Sequence, residues 1–325
     1  MRHFLIEFIT GGGLSGKDLP RALVKEGEMM IQTIFNDLIE AEYSDIALTR
    51  DKRLKSFEHK SKQYIIRESL EEELNEYICK SDIVWLIAPE TNDCLATFTE
   101  KFAKNKQIYI GSTPNAIRIS ADKLLTNKLL AEAGIKTVDT KSLDNEIIES
   151  ETGWIIKPND GVGGQSCYFI NDKEKLARVI VENKNEDFII QPFVDGRHMS
   201  MSLLVFDGAV RLLACNEQYI DIRNGCVSLI GIGVNECLHL KDEMKCLALK
   251  IISTISGFSG YIGVDMIEFN GDIFVLEINP RFTTAYVGLS RSLGYNITKK
   301  ILDTFLKKKL PDIDLMAAVP IRINI

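Results

Sequence analysis

The stretch 261–281, YIGVDMIEFNGDIFVLEINPR, sets Asp265, Glu277, Asn279 and Arg281 into two runs rich in residues that favour strands. Glu277 and Asn279 are two apart, so on a strand they share a face. Asn270-Gly271 is a hairpin signal. Whether Asp265 joins that face depends on the turn. A two-residue turn pairs Asp265 with Leu276 and sends Glu277 to the other face. A three-residue turn, Asn270 to Asp272, sets Asp265 opposite Glu277 and Gly263 opposite Asn279. The second register gathers two carboxylates and an amide oxygen, a hard-oxygen set suited to Mg²⁺ that must also reach phosphates. Arg281, just after Pro280, offers a planar and permanently charged fork for phosphate or carboxylate. A solvated hairpin edge would also carry acids. Glu277, however, stands between Leu276 and Ile278 in an otherwise apolar strand.

A second group of residues suits phosphate. Trp154-Ile155-Ile156-Lys157-Pro158 reads as a strand ending on a lysine, followed by a turn with Gly161, Gly163, Gly164, Gln165 and Ser166 and then a strand at 167–170. Glycines let backbone N–H groups approach phosphate oxygens, and Lys157 supplies a point charge. The turn returns directly into a strand, so it forms a hairpin flap and not a P-loop. Lys123 falls near the start of a helix over 119–133, with Ser120 as a plausible N-cap. Taken alone, a lysine there is usually solvated. The segment 188–194 reads as a strand running into Asp195-Gly196, and its Gln191, Phe193 and Val194 can line an adenine slot.

These groups need a scaffold. Over about the first 115 residues, strand patterns at 3–9, 46–48, 63–66, 83–88 and 108–110 alternate with helical patterns at 27–42, 68–80 and 91–104. That alternation predicts a small parallel α/β domain. Such sheets bind ligands at the carboxyl ends of their strands, here 10–14 and 89–92. The glycine loop 11–17, GGGLSGK, is a decoy. It matches a dinucleotide pattern and nearly matches a P-loop, but Asp18 stands where a hydroxyl is needed and Pro20 delays the helix. As a flexible loop at a strand end it remains a place for substrate contact. Later segments read as strands at 199–206 and 209–219 and helices at 241–256 and 295–308.

Composition narrows the class. A chain of 325 residues suggests two or three domains, and a net charge of −7 argues against nonspecific nucleic-acid binding. Seven scattered cysteines without a C-x-x-C pair indicate neither a zinc ribbon nor a disulfide framework, and a reduced cytoplasmic compartment fits best. Glu7 interrupts the first apolar run too early for a signal peptide, and no run is long enough to span a membrane.

With Lys123, Lys157, the flap, the 191–196 strand and the D…E-x-N-P-R hairpin in this order, the chain resembles the ATP-grasp superfamily. The resemblance covers roughly 119–325, and the α/β domain before it matches the usual layout. It implies an α/β and α+β chain: a pre-ATP-grasp domain over 1–118, a central subdomain with the flap over 119–191, and a C-terminal subdomain with the magnesium site over 192–325. By position, Lys123 and Lys157 resemble the phosphate-contacting lysines, and residues 161–166 the flap. Gln191, Phe193 and Val194 resemble the adenine strand. Asp265, Glu277 and Asn279 resemble the Mg²⁺ ligands, with Glu277 bridging two ions, and Arg281 the arginine that steadies phosphoryl and acyl groups. One departure stands out. Many relatives have an acid where this chain has His198, which leaves ribose binding to Asp195 or another acid.

The family's chemistry transfers the γ-phosphoryl of ATP to a carboxylate, and an amine then displaces phosphate to give an amide. The implied partners are a small-molecule carboxylate and an amine, with no nucleic acid and no membrane; a homodimer is a possible assembly. The segments FITGGGL and EINPRFTTAYVGL further resemble the subgroup that joins the γ-carboxyl of L-glutamate to tyramine in methanofuran biosynthesis. In that reading the 11–14 loop and 283–286 approach the acyl site, and Tyr286 borders the aromatic amine. Another ligase of the same fold joining amino acids, and an ATP-binding regulatory protein with dead chemistry, are the competing readings.

Overall fold

The computed structural model describes the chain except residues 58–60, 104–105, 145–147, 162–165 and 184–185, and the side chains of Glu76 and Ala103. Strand β1 (His3–Glu7) is buried along its whole length, as expected of a parallel strand covered on both faces. Helix α1 (Arg21–Glu40) follows, then β2 (Ile46–Asp51), β3 (Lys62–Ile66), α2 (Leu70–Ile78), β4 (Ile83–Ile87), α3 (Cys94–Ala103) and β5 (Ile108–Tyr109). The strands form a parallel sheet in the order β3-β2-β1-β4-β5. Helix α1 buries Met30, Ile31, Ile34, Phe35 and Leu38.

The expected single helix over 119–133 is two helices, α4 (Pro114–Ala121) and α5 (Lys123–Glu132). Pro114 opens the first, where its missing N–H costs nothing. Ser120 is not a cap; it sits inside α4, where its hydroxyl donates to the Ala116 carbonyl. The cap is Asp122, whose Oδ1 accepts from the Leu125 N–H at 2.9 Å. The break therefore makes Lys123 the first residue of α5.

Strands β6 (Lys141–Ser142), β7 (Trp154–Pro158) and β8 (Tyr168–Ile170), helix α6 (Lys173–Glu182) and β9 (Phe188–Pro192) come next. They lead to the long antiparallel strands β10 (Arg197–Phe206), β11 (Ala209–Arg223) and β12 (Cys226–Val234). Helix α7 (Lys241–Thr254), the hairpin β13 (Gly260–Phe269) and β14 (Asp272–Asn279), helices α8 (Leu289–Leu293) and α9 (Ile297–Lys307), and β15 (Ile321–Asn324) complete the chain. Among the described residues these strands share one sheet, β14-β13-β10-β11-β12-β8-β7-β9-β6, with β15 added to β12. Helix α1 ties the parallel domain to this body: Asp37 accepts from Ser290 at 2.8 Å and from Thr298 at 2.6 Å.

The hairpin combines the two registers left open by its sequence. Phe269 pairs with Asp272, so the turn has two residues, and Asn270 (φ 53°) and Gly271 (φ 82°) take the positive φ that such a turn requires. A β-bulge then shifts the pairing between Asp265 and Met266, leaving Leu276 as the extra residue. Asp265 thereby stands opposite Glu277, and Gly263 opposite Asn279. The three-residue turn is not formed; the bulge does its work.

Candidate active site

A cavity of about 510 Å³ opens beside this hairpin. Lys123, Lys157, Gly161, Gln191, Phe193, Val194, His198, Asp265, Glu277, Asn279 and Arg281 all line it. Five separate segments thus present the expected residues to one space. Both Leu276 and Glu277 reach it, because a bulge sets two residues against one partner. Asp195 and Ser166 are exposed and do not line it, and Gly163, Gly164 and Gln165 lie outside the described residues.

The centre is a compact charge cluster. The Asp265 carboxyl hydrogen-bonds Glu277 and also accepts from Gln218 Nε2 at 2.9 Å and Asn279 Nδ2 at 3.1 Å. Burial, and then the charge of Glu277, push the Asp265 carboxyl up to about 8. Burial also opposes charge on Glu277, but Lys123 and Lys157 outweigh it and hold that carboxylate below its ordinary range. Their ammonium groups lie 3.8 and 4.0 Å from Glu277 Oε2. Environment thus separates two carboxyls of similar intrinsic acidity.

Lys123 is buried at the start of a helix, where the helix dipole disfavours a cation. It is offset by two carbonyls that accept from its Nζ, Asn159 at 3.1 Å and Gly161 at 2.6 Å. Burial lowers its pKa, with Glu277 working in the other direction. Asn159 also accepts from the Leu124 N–H at 3.0 Å, so the root of the glycine-rich turn and the start of α5 are locked together.

Arg281 donates Nε to Glu90 at 2.9 Å and Nη1 to the Phe282 carbonyl at 3.2 Å, and it lines the cavity. Glu90 is buried and stands just beyond β4, so the parallel domain supplies the arginine's counter-ion. Burial works against the Arg281 charge, but Glu90 outweighs it and raises the pKa. The same loop reaches the flap root: the Thr91 hydroxyl donates to the Asp160 carbonyl, and the Asn92 N–H to the Asp160 carboxylate at 2.9 Å. Burial, then Lys157, lower the His198 pKa, so at neutral pH it lines the cavity as an uncharged ring.

Two sequence expectations need correction. The 11–14 loop does not line this cavity, and it is pinned: Arg53 donates to the Leu14 carbonyl at 2.9 Å and to the Lys17 carbonyl at 2.6 Å. Gly11 is a packing glycine, since a Cβ there would stand 2.4 Å from the Glu7 carbonyl oxygen. The first turns of α1 reach the cavity instead. Tyr286 does not border a substrate. It is fully buried against Tyr261 and Phe282, with its hydroxyl on Thr298, while Thr283, Thr284 and Ala285 line the cavity. Sequence reasoning also missed Gln218, and it named Glu90 only within the strand end 89–92, not as the arginine's partner. A polar residue on the inward face of β11 and an acid directly after the apolar β4 were the available signals.

A family model described as the ATP-grasp domain matches residues 120–285, and one for the pre ATP-grasp 3 domain matches residues 44–117. The chain belongs to the ATP-grasp family. It is 32% identical over 272 residues to the tyramine–L-glutamate ligase of Methanocaldococcus fervens, covering 82% of this chain and 83% of the relative. Against the tyramine–L-glutamate ligase of Methanocaldococcus jannaschii it is 28% identical over 322 residues, covering 94% and 90%. Among solved ATP-grasp structures, a superfamily protein from Archaeoglobus fulgidus superposes with a TM-score of 0.73 at 25% identity, over 96% of this chain and 90% of that one. As in ATP-grasp ligases generally, the reaction consumes ATP.

Proposed function

We propose that this protein is an ADP-forming ligase that joins the γ-carboxyl of L-glutamate to tyramine, a step of methanofuran biosynthesis. The observation that carries the ligase chemistry is the meeting of Lys123, Lys157, Glu277 and Arg281 at one cavity. The substrates come from the relatives, both of which are tyramine–L-glutamate ligases and align over most of the chain.

In this reading Lys123 and Lys157, which now face Glu277, take up the phosphates of ATP. The glycine-rich turn after Lys157 covers them, and Gln191, Phe193 and Val194 border the base. Asp195 is the expected ribose contact, although its exposure puts it at the rim. Among the described residues no three His, Cys, Asp or Glu side chains form a metal cluster. The donor set is two carboxyls and one amide, and that suits Mg²⁺, which takes few protein ligands and keeps places for phosphate oxygens. The raised Asp265 carboxyl agrees: two acids pressed together in a buried site call for a cation. Asp265, Glu277 and Asn279 would hold it, and it would neutralise charge developing on the phosphates.

The residues of the chain then do the positioning. Arg281, anchored through Nε on Glu90, orients the carboxylate that receives the phosphoryl group. The γ-phosphoryl moves to one carboxylate oxygen, the amine attacks the acyl carbon, and phosphate departs with that oxygen. No protein nucleophile takes part. A dead regulatory protein would have no reason to keep these side chains converging on one space.

The test is ADP release with glutamate held constant and the amine varied among tyramine, phenethylamine, alanine and lysine. Tyramine is expected to be strongly preferred, with the product mass showing one amide. Turnover with amino acids and none with tyramine would replace the substrate reading by an amino-acid ligase. Nucleotide binding without any acid-dependent ADP would remove the ligase reading.

A further inference from the structure

The cavity also has lining residues that the nucleotide and metal roles do not account for, termed its second arm. They come from α1, with Leu23, Glu26 and Met30, and from β12 and the residue after β15, with Leu229, Ile232 and Ile325. Thr284 and Ala285 also line it. Their segment, 284–288, packs against α1, β12 and β15 alike.

Glu26 is the anomaly among these residues. Its Oε2 accepts from the Thr284 hydroxyl at 2.8 Å, and among the described residues no lysine, arginine or histidine pairs with it. Other acids of α1 are engaged: Glu28 pairs with Arg50, and Asp37 accepts two hydroxyls. A half-buried carboxylate that lines the cavity together with Leu23 and Met30, partnered by one neutral hydroxyl, is placed to receive a cation. Thr284 lies three residues after Arg281, so the arm adjoins the acyl end of the site.

Resting on the ligase reading above, we propose that Glu26 binds the ammonium of the amine substrate and that Leu23, Leu229, Ile232 and Ile325 receive its hydrocarbon body. The alternative occupant is the α-ammonium of the amino acid. That group arrives with an α-carboxylate beside it, which needs a cation of its own, and Arg281, a cation lining the same cavity, is already assigned to the carboxylate that receives the phosphoryl group. A primary amine on an apolar frame needs one anion and an apolar wall, which is what the arm offers. The segment 284–285 thus contributes Thr284 as a positioning residue, holding the carboxylate by its hydroxyl.

The experiment combines calorimetry and kinetics on the full chain. Phenethylamine and phenethyl alcohol are titrated into the protein with glutamate and a non-hydrolysable ATP analogue, comparing wild type with Glu26→Gln and Leu23→Ala. Glu26→Gln keeps the shape and an acceptor for Thr284, and a cooperative melting transition verifies its fold. Wild type should prefer the amine to the alcohol, and Glu26→Gln should lose about tenfold or more for the amine alone, as expected for a charge-assisted hydrogen bond. Leu23→Ala should weaken both ligands. In turnover, Glu26→Gln should raise KM for the amine and leave KM for glutamate and ATP unchanged. A rise in KM for glutamate alone, or unchanged amine binding, overturns the proposal. If amine binding depends on Glu26 but wild type does not ligate glutamate to tyramine, the inference stands and the substrate reading fails.

Discussion

Replacing Glu90 by alanine should damage both stability and catalysis, although Glu90 does not line the cavity. Its carboxylate sits 2.9 Å from Arg281 Nε, and both side chains are largely buried, at 4% and 14% exposure. Removing one partner of a buried pair leaves the other charge uncompensated, at a cost of about 3–5 kcal/mol. Arg281 also feels Glu277, which supplies part of the lost field. The expected loss is therefore at the lower end, about 3 kcal/mol. Catalysis should fall further than stability suggests, because the fork is then held only through the Phe282 carbonyl. A displacement on the order of 1 Å at a positioning group can cost on the order of a hundredfold in kcat. Glu90→Gln retains an acceptor oxygen and should fall between. Urea denaturation gives the first quantity and glutamate-dependent ADP release the second. Full kcat with a loss under about 1 kcal/mol, the range of exposed pairs, would refute the assignment of Glu90 as the anchor of Arg281.

Glu277→Ala should reduce acid-dependent ADP release to background while the chain still melts cooperatively; near-normal turnover at saturating Mg²⁺ would contradict a shared ligand. Asp122→Ala removes the cap of α5 and the acceptor for Asn159 Nδ2, so it should cost about 1–2 kcal/mol and raise KM for ATP by displacing Lys123. His3 gives a pH dependence. It is buried and accepts from the Trp85 indole N–H at 3.1 Å, which only a neutral ring can do. Burial, with the chain's amino terminus adding to it, lowers its pKa from 6.5 to about 4. The unfolded chain therefore binds the proton first, and stability is lost as pH falls from 6.5 towards 4, by about 3 kcal/mol in all. His3→Gln should flatten that slope in denaturation curves taken at several pH values, and an unchanged slope would exclude His3 as its source.

The alternation of strands and helices in the first 115 residues was legible because parallel strands buried on both faces are rich in apolar residues, as β4 is throughout and β1 is between His3 and Glu7. The site residues were legible because their types are chemically costly inside a protein. A carboxylate between Leu276 and Ile278, or a lysine closing an apolar strand, needs a reason. What the pattern could not give was geometry set by single residues. The bulge at Leu276 has no sequence signature, and it alone decides which side chain faces Asp265. The helix break at Asp122 was hidden because Ser120 and Asp122 are both good caps, and the bonds that tie Asp122 and Leu124 to Asn159 come from a segment distant in sequence. Glu90, some 191 positions from Arg281, belongs to a contact between distant segments that periodicity cannot reveal. Tyr286 misled for the converse reason: its position after Arg281 suggested the site, while its ring completes an aromatic cluster in the core.

The central claim is that this cavity activates the γ-carboxyl of glutamate as an acyl phosphate for tyramine. The most direct measurement follows oxygen. Glutamate carrying heavy oxygen in its γ-carboxyl is incubated with ATP, Mg²⁺, tyramine and the protein, and the released phosphate is analysed by mass. Each phosphate should carry one γ-carboxyl oxygen, in step with ADP and amide formation. Phosphate without the label, or release of AMP and pyrophosphate, would contradict it.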